Sequence, residues 1–296
     1  MNNLAALKGC GTALATPFKE GGAIDEHALH RFVEFQIAAG IDFLVPCGTT
    51  GETPTLTDDE QMRVAETVLK TAQGRVPVIA GAGGNNTAHV IELAKRYERA
   101  GVNGLLSVTG YYNKPTQEGI YQHFKALAES TPLPIIVYNV PTRTIVNILP
   151  DTLARLTQFP NIIGVKEASG DISQMGEIFT KVPAGFKVLS GDDSVTLPLI
   201  ALGGVGVISV ASNEAPALMT RLTHACLDSD WHSARSLNRE LYPLMKGNFI
   251  ESSPGPVKAA LAMMGLMKET YRLPMVPVQP ETREKLRRIL VDLKLI

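Results

Sequence analysis

Residues 162–169 read Ile162-Ile163-Gly164-Val165-Lys166-Glu167-Ala168-Ser169. The apolar, partly β-branched run before Lys166 has the composition of a buried parallel strand. An ammonium group at the mouth of such a strand lies against apolar walls and loses hydration. Desolvation disfavours the charged form of an amine, and a neutral amine can attack a carbonyl carbon to give a Schiff base. The competing reading is a lysine that merely reaches water at the rim of a sheet, because perturbed groups also occur for structural reasons. The rest of the chain decides between them.

Strand-like runs recur on either side, at Gly11–Thr16, Asp42–Gly48, Val76–Gly81, Gly104–Thr109, Pro134–Asn139, Ile162–Ala168, Lys187–Gly191 and Gly206–Ala211. Helical patterns lie between them. Glu26–Ala39 carries Leu29, Phe32, Val33 and Ile37 at helical spacing, Asp58–Ala72 carries Met62, Val64, Val68 and Leu69, and Asn86–Ala100 carries Val90, Ile91, Leu93 and Ala94. Start signals agree: Thr57-Asp58-Asp59-Glu60 is a capping box, and Thr116-Gln117-Glu118 opens the helix that leads to Tyr121 and Phe124. Eight strands alternating with helices predict an α/β chain folded as a (β/α)8 TIM barrel rather than an open doubly wound sheet. Residues 214–227, 230–246, 254–268 and 279–294 also read as helices. The first completes a barrel over 1–227 that carries the active site, and the others form a C-terminal helical extension over 228–296. The Pro-rich stretch Leu273-Pro274-Met275-Val276-Pro277-Val278-Gln279-Pro280 is a linker between helices, too apolar for a flexible tether.

Composition bounds the function. The 296 residues suit one such barrel, and 45% hydrophobic with 19% charged residues describes a soluble globular chain with a sizeable core. A net charge of −1 without a run of like charges argues against nucleic acid or an anionic membrane surface, since both need a concentrated basic patch. No apolar run is long enough to span a bilayer. Cys10, Cys47 and Cys226 are too few and too scattered for a disulfide framework, which fits reduced thiols in a cytoplasmic protein. Residues 1–9 lack a basic region followed by a long apolar core, so no signal peptide is expected. The six histidines show no ligand spacing, and no catalytic metal is expected.

In barrels of this kind chemistry collects where strands end. The second strand ends in Gly48-Thr49-Thr50-Gly51-Glu52, whose hydroxyls and flexible backbone amides could bind a carboxylate. The fourth leads into Tyr111-Tyr112-Asn113 and the fifth into Tyr138-Asn139-Val140-Pro141-Thr142-Arg143. The sixth ends in Lys166, the seventh in Gly191-Asp192-Asp193, and the eighth carries Ile208-Ser209. Alternation along a strand predicts that Gly164 shares the face of Lys166 and keeps the barrel interior open beneath the amine. Ile163 and Val165 would then face the helices, and Ile136 and Tyr138 would share a face. Each feature also has a plainer explanation: loop packing for the tyrosine pair, a turn and helix cap for Gly-Thr-Thr-Gly-Glu, a solvated charge for Arg143. Ala80-Gly81-Ala82-Gly83-Gly84-Asn85-Asn86 invites a nucleotide-binding reading but lacks the third fingerprint glycine and its acidic partner, and is read as a tight strand-to-helix turn.

Taken together, Gly48-Thr49-Thr50-Gly51-Glu52, Tyr111-Tyr112-Asn113-Lys114-Pro115, Tyr138 to Thr144 and Gly164-Val165-Lys166-Glu167-Ala168 resemble the dihydrodipicolinate synthase family. That family belongs to the N-acetylneuraminate lyase superfamily of pyruvate-dependent class I aldolases. The similarity runs from Thr16-Pro17 to Leu273-Pro274-Met275. The lysine, the second tyrosine motif and Gly-Thr-Thr-Gly-Glu carry the superfamily; Arg143 and Tyr-Tyr-Asn carry the synthase family within it.

The resemblance implies an enzyme that condenses pyruvate with L-aspartate 4-semialdehyde on the route to diaminopimelate and lysine. Lys166 forms the imine. Tyr138 moves protons, and Thr49 and Tyr112 extend it into a relay, Tyr112 reaching across a dimer interface. Thr50 holds the pyruvate carboxylate with Ile208 and Gly191 beside it, and Arg143 binds the carboxylate of the aldehyde substrate. No cofactor is implied beyond the covalent imine on Lys166. The implied assembly is a homotetramer built as a dimer of dimers. Lysine-regulated members bind the amino acid with a tyrosine, an asparagine, histidines and a glutamate. Here Tyr111 and Asn85 match, while Asp58, Gln61 and His89 stand at the other positions, with His89 replacing the glutamate. Weak or absent lysine inhibition follows. Two alternatives stay open: a sister aldolase using pyruvate with a sugar acid or another aldehyde, and a catalytically silent barrel that binds a keto acid.

Overall fold

A computed structural model describes residues 4–296. Eight parallel strands form one sheet: β1 (Gly9–Ala13), β2 (Phe43–Val45), β3 (Ile79–Gly81), β4 (Gly104–Val108), β5 (Ile135–Asn139), β6 (Ile162–Glu167), β7 (Lys187–Ser190) and β8 (Gly206–Ser209). They pair in the order β2-β1-β8-β7-β6-β5-β4-β3. A parallel bridge between Leu44 and Val78 joins the two ends and closes the barrel. The predicted (β/α)8 barrel is the fold.

Every crossover carries helix. Their order is α1 (Glu26–Ala38), α2 (Asp58–Ala72), α3 (Thr87–Ala100), α4 (Gln117–Ser130), α5 (Pro141–Thr144), α6 (Pro150–Leu156), α7 (Ile172–Lys181), α8 (Thr196–Ala201) and α9 (Pro216–Leu227). The predicted starts have the predicted causes. Glu60 N donates to Thr57 Oγ1 and Thr57 N donates to Glu60 Oε2, completing the capping box of α2. Thr116 caps α4 through Gly119 N, and Asn86 caps α3. The inward faces of these helices carry Phe32, Val68, Leu93 and Phe124, all buried. Each such side chain contributes about 1.5–3 kcal/mol by leaving water.

Three further helices follow the barrel, α10 (Trp231–Gly247), α11 (Gly255–Met263) and α12 (Pro280–Asp292). α10 packs on α9 and α12, and α11 packs on α12 and on the turn Ala211–Asn213 that follows β8. The extension therefore sits beside the carboxyl ends of the strands, where it can reach the site.

The strand faces differ from simple alternation at one point. Ile136 and Tyr138 share the barrel interior, with Leu106, Leu189 and Ile208. Val165 packs outward against the helix layer, both as predicted. Ile163, however, packs against the interior cluster. The cause is a register shift: Ile135 pairs with Ile162, but the next residue Ile136 pairs with Gly164, leaving Ile163 as an extra residue. A bulge moves the side-chain phase by one. Gly164 is likewise not there to keep an open space, because a Cβ on it would lie 2.4 Å from Lys187 O and 2.7 Å from Lys187 Cβ. Its missing side chain lets β7 approach β6.

Candidate active site

Beyond the bulge, β6 delivers Lys166 opposite Tyr138 on β5, the two being Cα partners in the ladder. Lys166 is 4% exposed and Tyr138 7%. The Lys166 Nζ lies 4.3 Å from the centroid of the Tyr138 ring, close enough for the ring face to attract an ammonium. An amine and a phenol, both largely withdrawn from water, thus meet on adjacent strands at the carboxyl face of the barrel.

Gly191, just after β7, backs the lysine. A Cβ there would stand 2.7 Å from Ala168 Cβ, 3.0 Å from Lys166 Cε and 3.1 Å from Lys166 Cγ. Ile208 is fully buried beside Tyr138 in the same interior cluster. Thr50 is buried in the helical turn Thr49–Gly51 that follows β2. This turn is tied down by backbone and hydroxyl bonds: Thr16 Oγ1 donates to Gly51 O at 2.8 Å and Thr53 Oγ1 to Gly48 O at 2.7 Å.

A cavity of about 430 Å³ opens above these residues. Thr49, Tyr138, Arg143, Tyr111, Asn85, His89 and Asp58 all line it, together with Val140 and Thr144. Lys166, Thr50, Ile208 and Gly191 are not among the lining residues; Tyr138, which lines the cavity, carries the contact to Lys166. Arg143, on α5, has an exposed guanidinium whose Nη2 donates to Ser253 O at 3.4 Å, so the extension already orients it. At the far end of the cavity His89 Nε2 lies 2.9 Å from Asp58 Oδ2. Tyr112 stands apart: it is 93% exposed and its backbone has φ of 71°. Gly81 and Gly83 of the glycine-rich run have a packing role, since a Cβ on them would strike Cys47 O at 1.8 Å and Val108 Cγ1 at 2.4 Å.

Sequence reading passed over the groups that hold this site from behind. Glu167, beside the lysine, points the other way and accepts from Asn139 Nδ2 at 3.0 Å and Ser169 N at 2.6 Å. Burial raises its carboxyl above the ordinary value. Asp193 Oδ2 accepts from Val210 N and Ala211 N at 3.0 and 2.8 Å, fastening the end of β8 to that of β7. Asp193 sits in the strand-end motif Gly191-Asp192-Asp193, which was a usable signal; Glu167 offered only its place next to Lys166.

A chain built this way has many known counterparts. A 4-hydroxy-tetrahydrodipicolinate synthase of Koribacter versatilis is 54% identical, over 97% of this chain and 96% of that protein. A solved structure described as the first monomeric dihydrodipicolinate synthase variant superposes with a TM-score of 0.97 at 43% identity, covering 99% of both chains. The chloride-inhibited dihydrodipicolinate synthase of Acinetobacter baumannii, solved with pyruvate, gives 0.96 at 42% identity over 98% of this chain and 99% of that one. With the family model matching residues 6–293, the chain belongs to the dihydrodipicolinate synthetase family.

Proposed function

We infer that this protein is a pyruvate-dependent class I aldolase acting as a 4-hydroxy-tetrahydrodipicolinate synthase, which condenses pyruvate with L-aspartate 4-semialdehyde. The observation that carries the reading is Lys166, a buried strand-end amine 4.3 Å from the Tyr138 ring. Lys166 Nζ attacks the ketone carbon of pyruvate and water leaves, giving an imine. Loss of a methyl proton converts the imine to an enamine. The enamine carbon bonds to the aldehyde carbon of the second substrate, and the new alkoxide takes a proton relayed by Tyr138. The substrate's amine then attacks the imine carbon, closes the ring and releases Lys166. The imine is the electron sink, so the scheme invokes no metal or organic cofactor.

The other roles follow the chemistry of each side chain. Thr50 and the amides around it hold the pyruvate carboxylate, while Ile208 and Gly191 shape the space beside it. Arg143, a forked donor on the cavity wall, suits the carboxylate of the aldehyde substrate. Thr49 connects Tyr138 to the cavity mouth. The exposure and left-handed backbone of Tyr112 fit a residue that completes the relay of a second copy, in a homotetramer of two such dimers working in the cytoplasm. The same residues could serve a sister aldolase with another aldehyde, and the acceptor site separates the two.

The test is borohydride trapping with pyruvate, read by mass spectrometry. One reduced pyruvyl unit per chain is expected on Lys166, and none on folded Lys166→Ala. Labelling of Lys181 or Lys187 instead would sink the assignment. Arg143→Ala should still trap pyruvate but lose turnover with L-aspartate 4-semialdehyde. Its charge-assisted contacts are worth about 1.5–3 kcal/mol, about ten- to a hundred-fold. Full activity in that variant favours the sister aldolase.

A further inference from the structure

One charged cluster lies outside the chemistry described so far. Glu52 ends the segment Gly48-Thr49-Thr50-Gly51-Glu52, and Lys258 lies on α11 of the extension, 206 positions further along the chain. Lys258 Nζ donates to Glu52 Oε1 at 2.5 Å, with side chains 0% and 1% exposed. The Phe18 ring covers the ammonium at 4.2 Å. The other carboxylate oxygen accepts from Arg272 N at 3.3 Å, and the Arg272 guanidinium pairs with Glu60 in the capping box of α2.

A fully buried ion pair is weak evidence for stability, because removing two charges from water offsets most of their attraction. What this pair fixes is a backbone geometry. Glu52 has φ of 53°, the left-handed region that residues with a Cβ seldom occupy. From that conformation its N–H donates to Thr49 O at 3.2 Å, and its carbonyl accepts Thr55 N and Thr55 Oγ1, both at 2.9 Å. Glu52 thereby terminates the turn Thr49–Gly51. Remove the anchor and nothing in Glu52's own preferences keeps it there.

We propose that Lys258 is a positioning residue for the pyruvate site: through its ion pair with Glu52 it holds the Thr49–Thr50 turn, and with it the carboxylate-binding end of the site, in place against Lys166. This rests on the assignment of Thr50 to the pyruvate carboxylate. It gives the C-terminal extension a part in substrate binding, since Lys258 and Arg272 both come from it.

Lys258→Met isolates the effect. A contact to the pyruvate carboxylate is made in ground and transition states alike, so its loss raises KM, and any fall in kcat from moving Thr49 comes on top of that rise. The KM for pyruvate should rise by about ten-fold or more, with the KM for L-aspartate 4-semialdehyde within about two-fold of wild type. If Lys258→Met leaves too little folded protein because Glu52 is unpaired, Glu52→Gln/Lys258→Met removes both charges together and carries the same test. An unchanged KM for pyruvate in a folded variant overturns the proposal. So does a fall in maximal rate with both KM values intact, the signature of a purely structural role. Wild-type protein that forms no adduct at Lys166 in the trapping assay removes the underlying reading, and this proposal with it.

Discussion

Glu214, just past β8, shows how an enclosed group couples folding to pH. It is fully buried, and burial first, then the charge of Asp193, push its carboxyl well above the ordinary 4.5, against a weak bond from Asn248 Nδ2 at 3.4 Å. The folded chain keeps this proton at pH values where the unfolded chain has lost it. The group's contribution to stability is therefore complete below pH 4.5 and is lost as pH rises through the raised folded value. Glu214→Gln has the same shape and no proton to lose. It should match wild type near pH 4.5 and be the more stable protein at pH 8, where a gain of about 1 kcal/mol corresponds to roughly 2–4 °C in a chain of this size. Thermal melts at the two pH values decide it, and a difference independent of pH would refute the account.

At the scale of an element, the end of β6 depends on its neighbour. Gly191 leaves room for the stem of Lys166, and an added methyl would press on Lys166 Cγ and Cε at 3.1 and 3.0 Å and on Ala168 Cβ at 2.7 Å. The lysine gives way to that pressure more easily than the fold does, because a methylene stem swings while two paired strands do not. Gly191→Ala should stay folded yet form the pyruvate imine at least about ten-fold more slowly, since small misplacements of a reacting group are costly. An unchanged trapping rate would show that the lysine has slack. The elements themselves were readable in advance where one local rule governs: the capping box of α2, the Thr116 start of α4, the strand positions. Sequence alternation failed at Ile163 because a bulge depends on how β5 and β6 are registered, which neither strand states alone.

Across the whole molecule, the cavity runs from Arg143 to the His89–Asp58 pair without a break. The second end holds the residues that the family resemblance assigns to a lysine effector site, and its occupancy is a prediction. His89 stands where a glutamate would meet the lysine ammonium, and Asp58, the nearest anion, already accepts the imidazole at 2.9 Å. A histidine that is neutral or positive cannot replace that attraction. Losing one charge-assisted contact is worth about 2–3 kcal/mol, on the order of a hundred-fold. Steady-state assays with millimolar L-lysine should find little or no inhibition, and strong partial inhibition would show that Asp58 supplies the charge from its own side.

By itself the sequence determined the barrel, because alternating apolar periods and helix caps are local and each segment carries its own. It also singled out Lys166, Tyr138 and Arg143 as candidates, since strand ends in such a barrel converge wherever the loops go; the structure brings Lys166 and Tyr138 together and puts Arg143 on the cavity wall beside Tyr138. Lys258 stands alone in the apolar run Pro256-Val257-Lys258-Ala259-Ala260-Leu261, and nothing near it in the sequence names Glu52 as its partner. The tertiary structure alone decided that pairing, the outward turn of Glu167 and the closeness of Gly191 to the lysine stem. A buried charge is stable only against a partner that long-range folding brings to it, and room for a side chain is defined only by the atoms that finally surround it.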